Sequence, residues 1–152
     1  MTYSEQLVEF VKAWEGLKLV TSGDPLVPGV KDIGYGHKLM PDSQLLEITE
    51  AEADGMLRMD LDGFLWDLDQ HIHVTLEQHE QDALLSLAFN VGVEAVRNST
   101  LLYLVNHNRF EEAANEFPKW CKAGKPLKII PGLKRRRLAE RAMFIDAEYQ
   151  KP

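Results

Sequence analysis

Three carboxylates and one imidazole lie in a glycine-rich segment near the N-terminus. Glu15 comes at the end of an apolar pattern with helical spacing, and Asp24, Asp32 and His37 follow in a stretch rich in glycine and proline. A carboxyl group at a helix C-terminus faces the negative end of the helix dipole, and partial burial acts in the same direction, so both favour the protonated form of Glu15. An Asp on a solvated loop stays ionised. These are the two states that glycoside hydrolysis requires, an acid for the leaving oxygen and an anion facing the sugar ring.

The residues alone leave a second interpretation open. Carboxylates are also common at helix ends and in turns, where they are solvated or cap the backbone. A catalytic pair therefore needs support from the elements that hold these side chains and from other motifs in the chain.

The elements that must position these residues are mainly helical. Apolar residues at helical spacing predict one amphipathic helix over 3–15, which ends at a glycine. Residues 17–40 alternate β-prone residues with glycine and proline, which predicts a small sheet of short strands and the only β-like stretch. Thr49 and Glu52 form a capping box ahead of a long helical pattern that runs to about His71.

The rest of the chain predicts further helices. A second capping box, Thr75 with Gln78, predicts the start of another helix, and several shorter helices follow. The last helix is expected from near Pro131 toward Tyr149. The expected fold class is therefore α+β, mainly α, with one β-containing part near the N-terminus. Large aromatic side chains are expected in the core, namely Trp66, Phe89, Phe110, Phe117 and Trp120.

Composition excludes several classes of protein. The chain has 152 residues and a net charge of −7, so a uniformly basic nucleic-acid coat is excluded, and its apolar runs are too short to span a membrane. One cysteine excludes an internal disulfide framework. The charge is unevenly distributed, with −14 on residues 1–118 and +7 on residues 119–152. The N-terminus lacks the pattern of a secretory signal peptide, so the chain is expected in a cytoplasm.

Several motifs in order carry a resemblance to a known family. Glu15-Gly-Leu-Lys-Leu, Asp24 nine residues later, and Ile33-Gly-Tyr-Gly-His resemble the catalytic unit of the phage-type lysozymes, the endolysins of glycoside hydrolase family 24. The resemblance covers nearly the whole chain. It continues through Thr49-Glu-Ala-Glu-Ala-Asp, Phe89-Asn-Val-Gly, Asn98-Ser-Thr-Leu-Leu, Phe117-Pro-Lys-Trp and Pro131-Gly-Leu-Lys-Arg-Arg-Arg-Leu-Ala-Glu-Arg.

The resemblance implies a single lysozyme-like domain over residues 1–152. In this arrangement a small N-terminal β-containing lobe, approximately 15–60, is joined by a long helix, approximately 50–71, to a larger helical lobe, 75–152. The helix over 1–14 is expected to pack on the C-terminal lobe, and the active-site cleft is expected between the lobes.

The resemblance also implies an activity and roles for individual residues. The implied reaction is hydrolysis of the β-1,4 bond between N-acetylmuramic acid and N-acetylglucosamine in peptidoglycan, with Glu15 as general acid and Asp24 as second carboxylate. His37 is expected to brace the catalytic lobe through a buried ion pair, with a catalytic role as the alternative, and Tyr35 is expected to support the site. Asn90 matches a position that lines the cleft, although it could equally cap the end of the preceding helix.

Asp32 departs from the family pattern, which has Thr immediately before Ile-Gly-Tyr-Gly-His. The number of residues between Asp24 and this position is also larger by two than in the family. One interpretation makes Asp32 a direct replacement that acts as general base for water, since a carboxylate abstracts a proton better than a hydroxyl. In the other interpretation Asp32 faces solvent or pairs with Lys31, Lys38 or an Arg, and Asp24 keeps its role.

The basic run 134–137 has two interpretations as well. It can be a solvated helix face, or one of its arginines can reach the catalytic Glu, as the resemblance implies. Arg136 is the best positional match and Arg135 is the second candidate. Since adjacent helical residues diverge by about 100°, only one or two of the four can point inward.

No metal and no cofactor are expected. Three histidines lie near one another in the sequence, but their spacing fits no common zinc pattern. They are His71, His73 and His79.

The expected partner is bacterial peptidoglycan. By resemblance the protein accumulates in the host cytoplasm as a monomer, and a separate holin permeabilises the membrane so that it reaches the periplasm or cell wall. Stable membrane insertion is not expected. One alternative is a lysozyme-like domain that binds glycan without cleaving it. The other is a nucleic-acid-binding protein that uses the basic residues 119–137, and the acidic charge of the rest of the chain disfavours this alternative.

Overall fold

The first helix and its ends follow from local side-chain chemistry. In this computed structural model, which describes residues 1–23, 31–40 and 47–152, helix α1 covers Glu5–Glu15. It begins two residues later than predicted because the Ser4 hydroxyl accepts a hydrogen bond from the Leu7 amide at 3.1 Å and caps the helix. It ends at Gly16, whose φ of +74° lies in a region that favours glycine. Glu15 is therefore its last residue.

A three-stranded antiparallel sheet follows α1, as predicted. Its strands are β1 (Lys18–Gly23), β2 (Lys31–Gly34) and β3 (His37–Leu39), in the order β1-β2-β3. Asp32 pairs with Lys38 across β2 and β3. The tight turn between these strands contains Gly34 and Gly36 at φ of +65° and +86°. A Cβ on Gly34 would lie 3.4 Å from the Ala53 Cβ, so the sheet packs closely on the next helix.

Helix α2 connects the sheet with the remaining helices. It covers Glu50–Asp69, close to the predicted span. The predicted capping box is present, because the Thr49 amide donates to the Glu52 carboxylate at 2.7 Å and the Glu52 amide donates to the Thr49 hydroxyl at 3.2 Å. One face of α2 is buried in the core, and its buried residues are Ala53, Leu57, Leu61 and Leu68.

Helix α3 (Gln78–Val91) lies at the centre of the helical part and packs against α2 and the last helix. The Thr75 and Gln78 capping box predicted for its start is wrong. Glu77 is the N-cap instead, and its amide donates to the Glu80 carboxylate at 2.7 Å in a capping box that begins two residues after Thr75. The remaining helices are α4 (Val93–Arg97), α5 (Thr100–Asn106), α6 (Phe110–Ala114), a short 3-10 helix (Phe117–Lys119) and α7 (Pro131–Asp146).

Two further sequence-based expectations are wrong. The stretch 17–40 is not the only β structure, because β4 (Lys122–Ala123) pairs antiparallel with β5 (Lys128–Ile129). Strands this short show no alternation in the sequence. Trp66 is not in the core, because it lies on the face of α2 that points away from it and is 72% exposed.

The class of fold is confirmed. The structure is α+β and mainly helical, with a small sheet packed on α2 and a larger set of helices around α3. Within the described parts of the chain, no helix is long and apolar enough to cross a membrane.

Candidate active site

A cleft of about 780 Å³ opens between the sheet and the helical part. It is lined by the end of α1, the strands β1 to β3, the middle of α2, the end of α3, strand β4 and the start of α7. Of the residues predicted for the site, Glu15, Asp32, His37 and Asn90 all line this cleft. Asp24 lies outside the described residues.

Glu15 occupies the point where α1 meets the sheet. Its side chain is 20% exposed, and its Oε1 atom accepts a hydrogen bond from Arg136 Nη1 at 2.5 Å. Its Oε2 atom lies against Gly36, where a Cβ would be only 3.3 Å away. The two oxygens therefore have different surroundings. One is held by a guanidinium, and the other is next to a glycine that also lines the cleft.

Arg136 belongs to a buried polar network on α7. Its Nε atom contacts Glu140 Oε1 at 3.2 Å, and Arg137 Nε lies 3.0 Å from Glu140 Oε2. Ser86 of α3 donates to Glu140 Oε1 at 2.7 Å. Glu140 and Arg137 are fully buried, and Arg136 is nearly so. We call Glu15, Ser86, Arg136, Arg137 and Glu140 the buried network.

The two arginines of this network differ in the charge that surrounds them. Burial opposes the charge on Arg136, but Glu15 and Glu140 outweigh it and raise the pKa of Arg136 above its usual value. Burial lowers the pKa of Arg137, and Glu140 offsets it only in part. Arg136 is thus the arginine shared between two carboxylates, and it connects Glu15 to the interior of α7.

Asp32 lies in the cleft wall and is paired with lysines. Lys18 Nζ approaches its two carboxylate oxygens at 2.9 and 3.0 Å, and Lys38 Nζ is 3.8 Å from Oδ2. Asp32 is buried, so it does not face solvent. The pair with Lys38 was among the expected ones, whereas Lys18 was not considered, because the register of β1 against β2 is not visible in the sequence.

His37 and Asp60 form a contact between β3 and α2. The Nδ1 atom lies 2.8 Å from Asp60 Oδ2, and the two side chains are 30% and 24% exposed. The expected ion-pair partner of His37 is thus a carboxylate at the cleft edge, only partly buried. It joins the sheet to the connecting helix.

Asn90 and Tyr35 have different surroundings. Asn90 Oδ1 accepts a hydrogen bond from Arg137 Nη2 at 2.8 Å, and α3 ends at Gly92 rather than at Asn90. The Asn90 side chain is exposed and lines the cleft. Tyr35 is buried in the core, with Lys12 Nζ 5.7 Å from its ring centroid, so it supports the site by packing and does not line the cleft.

Two residues of the buried network were not predicted from the sequence. Glu140 and Ser86 lie far from the motif that contains Glu15. The spacing of Glu140, four residues after Arg136 and three after Arg137, is the one signal that could have indicated an ion pair on α7. Arg135 is exposed and does not belong to the network.

A metal site is not found within residues 1–23, 31–40 and 47–152, where no group of three or more His, Cys, Asp or Glu side chains could hold an ion. His79 contacts the main-chain carbonyl oxygens of Met143 and Phe144 on α7, at 3.1 and 3.0 Å. It therefore connects α3 with α7.

The fold and the cleft define a protein of the lysozyme-like class, with a carboxylate at a helix end facing a groove between a small sheet and a helical part. The model of the phage lysozyme family matches residues 12–140. The endolysin of Bacillus phage B103 is 39% identical over 150 residues, which are 97% of this chain and 56% of that protein. The chain belongs to the phage lysozyme family.

Solved structures agree with this assignment. The muramidase domain of SpmX from Asticaccaulis excentricus is 34% identical with a TM-score of 0.87, covering 95% of this chain and 97% of that one. The endolysin from Escherichia coli O157:H7 phage FAHEc1 is 29% identical with a TM-score of 0.90, covering 99% and 98%. The chain spans about half the length of the first curated relatives, 56% and 55%.

Proposed function

We propose that this protein is a muramidase of the endolysin type. It hydrolyses the β-1,4 bond between N-acetylmuramic acid and N-acetylglucosamine in bacterial peptidoglycan and so lyses the host cell. The observation that carries this proposal is Glu15 at the cleft edge, with one oxygen held by Arg136 and the other beside Gly36. The names endolysin and muramidase among its relatives support the same substrate.

Glu15 is the general acid in this proposal. Because Oε1 is engaged by Arg136, Oε2 is the atom that delivers the proton to the glycosidic oxygen. The proton transfer leaves a carboxylate, whose negative charge develops in the transition state. Arg136 is already in place beside that charge and stabilises it without reorganisation.

The second carboxylate is proposed to be Asp24, as the family pattern implies. Asp32 has a different role, because both of its oxygens already lie within hydrogen-bonding distance of Lys18. We infer that Asp32 fixes Lys18 and Lys38 in the cleft wall rather than taking a proton from water. His37 with Asp60 braces the sheet against α2, and Asn90 donates to a hydroxyl or N-acetyl group of the sugar.

The main test compares the wild type with Glu15→Gln on outer-membrane-permeabilised bacteria, with loss of turbidity as the readout. Glu15→Gln keeps the shape of the side chain but has no acidic proton to transfer, so the clearing rate is expected to fall by roughly 10²–10⁴. Glu111→Gln on the exposed surface of α6 is the matched control and keeps the wild-type rate. Equal clearing by wild type and Glu15→Gln would contradict the proposal.

A second test separates the two aspartates. Asp24→Asn is expected to lower kcat by roughly 10²–10⁴, as for loss of a group that assists the attacking water. Asp32→Asn is expected to cause a much smaller loss, because it only weakens the hold on two lysines. The reverse order of the two losses would make Asp32 the direct replacement for the family threonine.

Purified wild-type protein that binds cell walls without clearing them would indicate a glycan-binding domain in place of an enzyme.

The proposal includes a cellular context. We propose that the protein works as a monomer, with residues 1–152 as one lysozyme-like domain of two lobes, approximately 15–60 and 75–152. It accumulates in the host cytoplasm and reaches the periplasm or cell wall after a holin has permeabilised the membrane. The resemblance to phage lysozymes supports this arrangement.

A further inference from the structure

The outer face of α2 carries two large apolar side chains in solvent. Met59 is 73% exposed and Trp66 is 72% exposed. They are seven residues apart, so at about 100° per residue they lie on the same side of the helix. These two side chains lie opposite the buried residues of α2 and present apolar surface that a bound ligand can cover.

A shallow groove of about 310 Å³ runs along this part of α2. We call it the α2 groove; it is lined by Met59, Asp60, Gly63, Phe64 and Asp67. Asp60 and Phe64 also line the active-site cleft, so the two depressions adjoin at these residues. Phe64 further contacts Phe89 at the end of α3, with ring centroids 5.4 Å apart. Aromatic and apolar surface therefore extends from the cleft onto the outer face of α2.

Gly63 lines the groove, and along α2 it lies between Met59 and Trp66. A glycine inside a helix costs about 1 kcal/mol relative to alanine. No packing constraint explains it, because a Cβ built at Gly63 meets no atom within 4 Å, and its backbone is ordinary helix. The missing side chain leaves open space on this part of the helix surface.

The groove has the chemistry of a neutral sugar site. Indole rings stack on the C–H faces of pyranose rings, since the negative face of the ring attracts the partly positive hydrogens. The carboxylate of Asp67 accepts hydrogen bonds from hydroxyl and amide groups. The last turn of α2 has acidic but no basic residues, so an anionic lipid, a nucleic acid or an acidic peptide would be repelled.

We propose that the α2 groove, with Trp66 at its edge, binds a further N-acetylglucosamine unit of the glycan strand that occupies the cleft. This inference rests on the proposed function, because it concerns the same polymer. The groove extends the contact with the strand by one unit beyond the cleft. It contributes to affinity for long glycans and not to the chemical step.

The test uses Glu15→Gln protein, so that no glycan is cleaved, and measures the binding of β-1,4-linked N-acetylglucosamine trimer and hexamer by calorimetry. Trp66→Ala is expected to weaken hexamer binding by about tenfold, while trimer binding is unchanged. Gly63→Leu, which fills the groove and favours the helix, is expected to have the same selective effect. Tyr103→Ala removes another exposed aromatic ring, on α5, and is expected to change neither.

Trp66 also gives a direct signal. Trp14 and Trp120 are partly buried against the core, so Trp66 is the tryptophan most exposed to water. Hexamer binding is expected to shift the fluorescence emission to shorter wavelength, and Trp66→Phe is expected to abolish the shift. Unchanged hexamer affinity in both Trp66→Ala and Gly63→Leu would overturn the inference. The proposed function would stand in that case, provided that wild type clears walls and Glu15→Gln does not.

Discussion

Two charge networks hold helices together in this protein, and they differ in burial. The buried network joins α7 to Glu15 and to Ser86 of α3. A surface network joins α1 to α2, where Arg58 makes a two-pronged contact with Glu5 at 2.7 and 2.8 Å. Asp54 accepts from Arg58 at 2.8 Å and lies 2.5 Å from Lys12. We call Glu5, Lys12, Asp54 and Arg58 the surface network.

The difference shows what each network contributes. Surface ion pairs between flexible side chains are worth little, because water solvates the separated charges almost as well. Buried charges must be removed from water, and apolar residues of the same volume often stabilise a fold as well or better. We therefore interpret the buried network as an arrangement that fixes Glu15 for the proposed reaction, whereas the surface network makes a small contribution to stability.

The largest expected effect comes from removing the central carboxylate of the buried network. Glu140→Gln leaves Arg137 without its carboxylate and Arg136 with only Glu15. Because an uncompensated buried charge is strongly unfavourable, the free energy of unfolding is expected to fall by about 3–5 kcal/mol, measured by urea denaturation. Glu111→Gln, an exposed carboxylate on α6, is the control. A loss below about 1 kcal/mol would mean that the network is hydrated and behaves like a surface pair.

The next effect concerns catalysis rather than stability. Arg136 uses Nη1 for Glu15 and Nε for Glu140, and a lysine has one charged atom that cannot serve both. Arg136→Lys is expected to lower kcat by roughly 10²–10³ with little change in KM, because in the proposed function this contact stabilises charge that develops in the transition state.

The control for this variant is Arg135→Lys, which changes the adjacent but exposed arginine and is expected to keep wild-type kinetics. Steady-state rates on isolated walls measure both variants. A rise in KM without loss of kcat in Arg136→Lys would assign Arg136 to substrate binding instead.

Local features of the fold could be predicted from the sequence. Gly16 determines where α1 ends and Thr49 determines where α2 begins, because caps act on the nearest backbone groups. Glu15 could therefore be located at a helix end. Its contact with Arg136 joins residues 121 positions apart, and only the family resemblance indicated it. Periodicity identifies the buried face of a helix but not its partner.

The predictions that failed have physical reasons too. The large apolar side chain of Trp66 predicts a core position, but Trp66 does not share the face of α2 that contains Leu61 and Leu68. For the basic run on α7 the sequence left open a solvated face or an inward-pointing arginine, and the structure shows Arg136 and Arg137 buried, with Glu140 compensating their charge. Burial of charge depends on tertiary partners, which composition does not contain.

The smallest expected effect comes from the surface network. Asp54→Asn removes the carboxylate that Lys12 and Arg58 share, and the expected loss is about 0.2–1 kcal/mol in the free energy of unfolding. Added salt is expected to reduce this loss further, because exposed charges are screened. The loss from Glu140→Gln is expected to be nearly independent of salt, so the two variants separate the networks.

The pH dependence of the Asp54→Asn difference has a defined sign. Hydrogen bonds from Lys12 and Arg58 lower the pKa of Asp54 in the folded protein. Stability from this carboxylate is therefore complete above the unfolded value of about 3.9 and is lost as pH falls through the lower folded value. The pKa of Lys12 is raised, chiefly by its hydrogen bond to Asp54. The stability that protonated Lys12 contributes is therefore lost only in strong alkali, above about pH 10.4. The free energies of unfolding of wild type and Asp54→Asn, measured by urea denaturation at a series of pH values, should differ most between these two pH limits and become equal in acid. A difference in stability that grows as the pH falls would contradict this assignment.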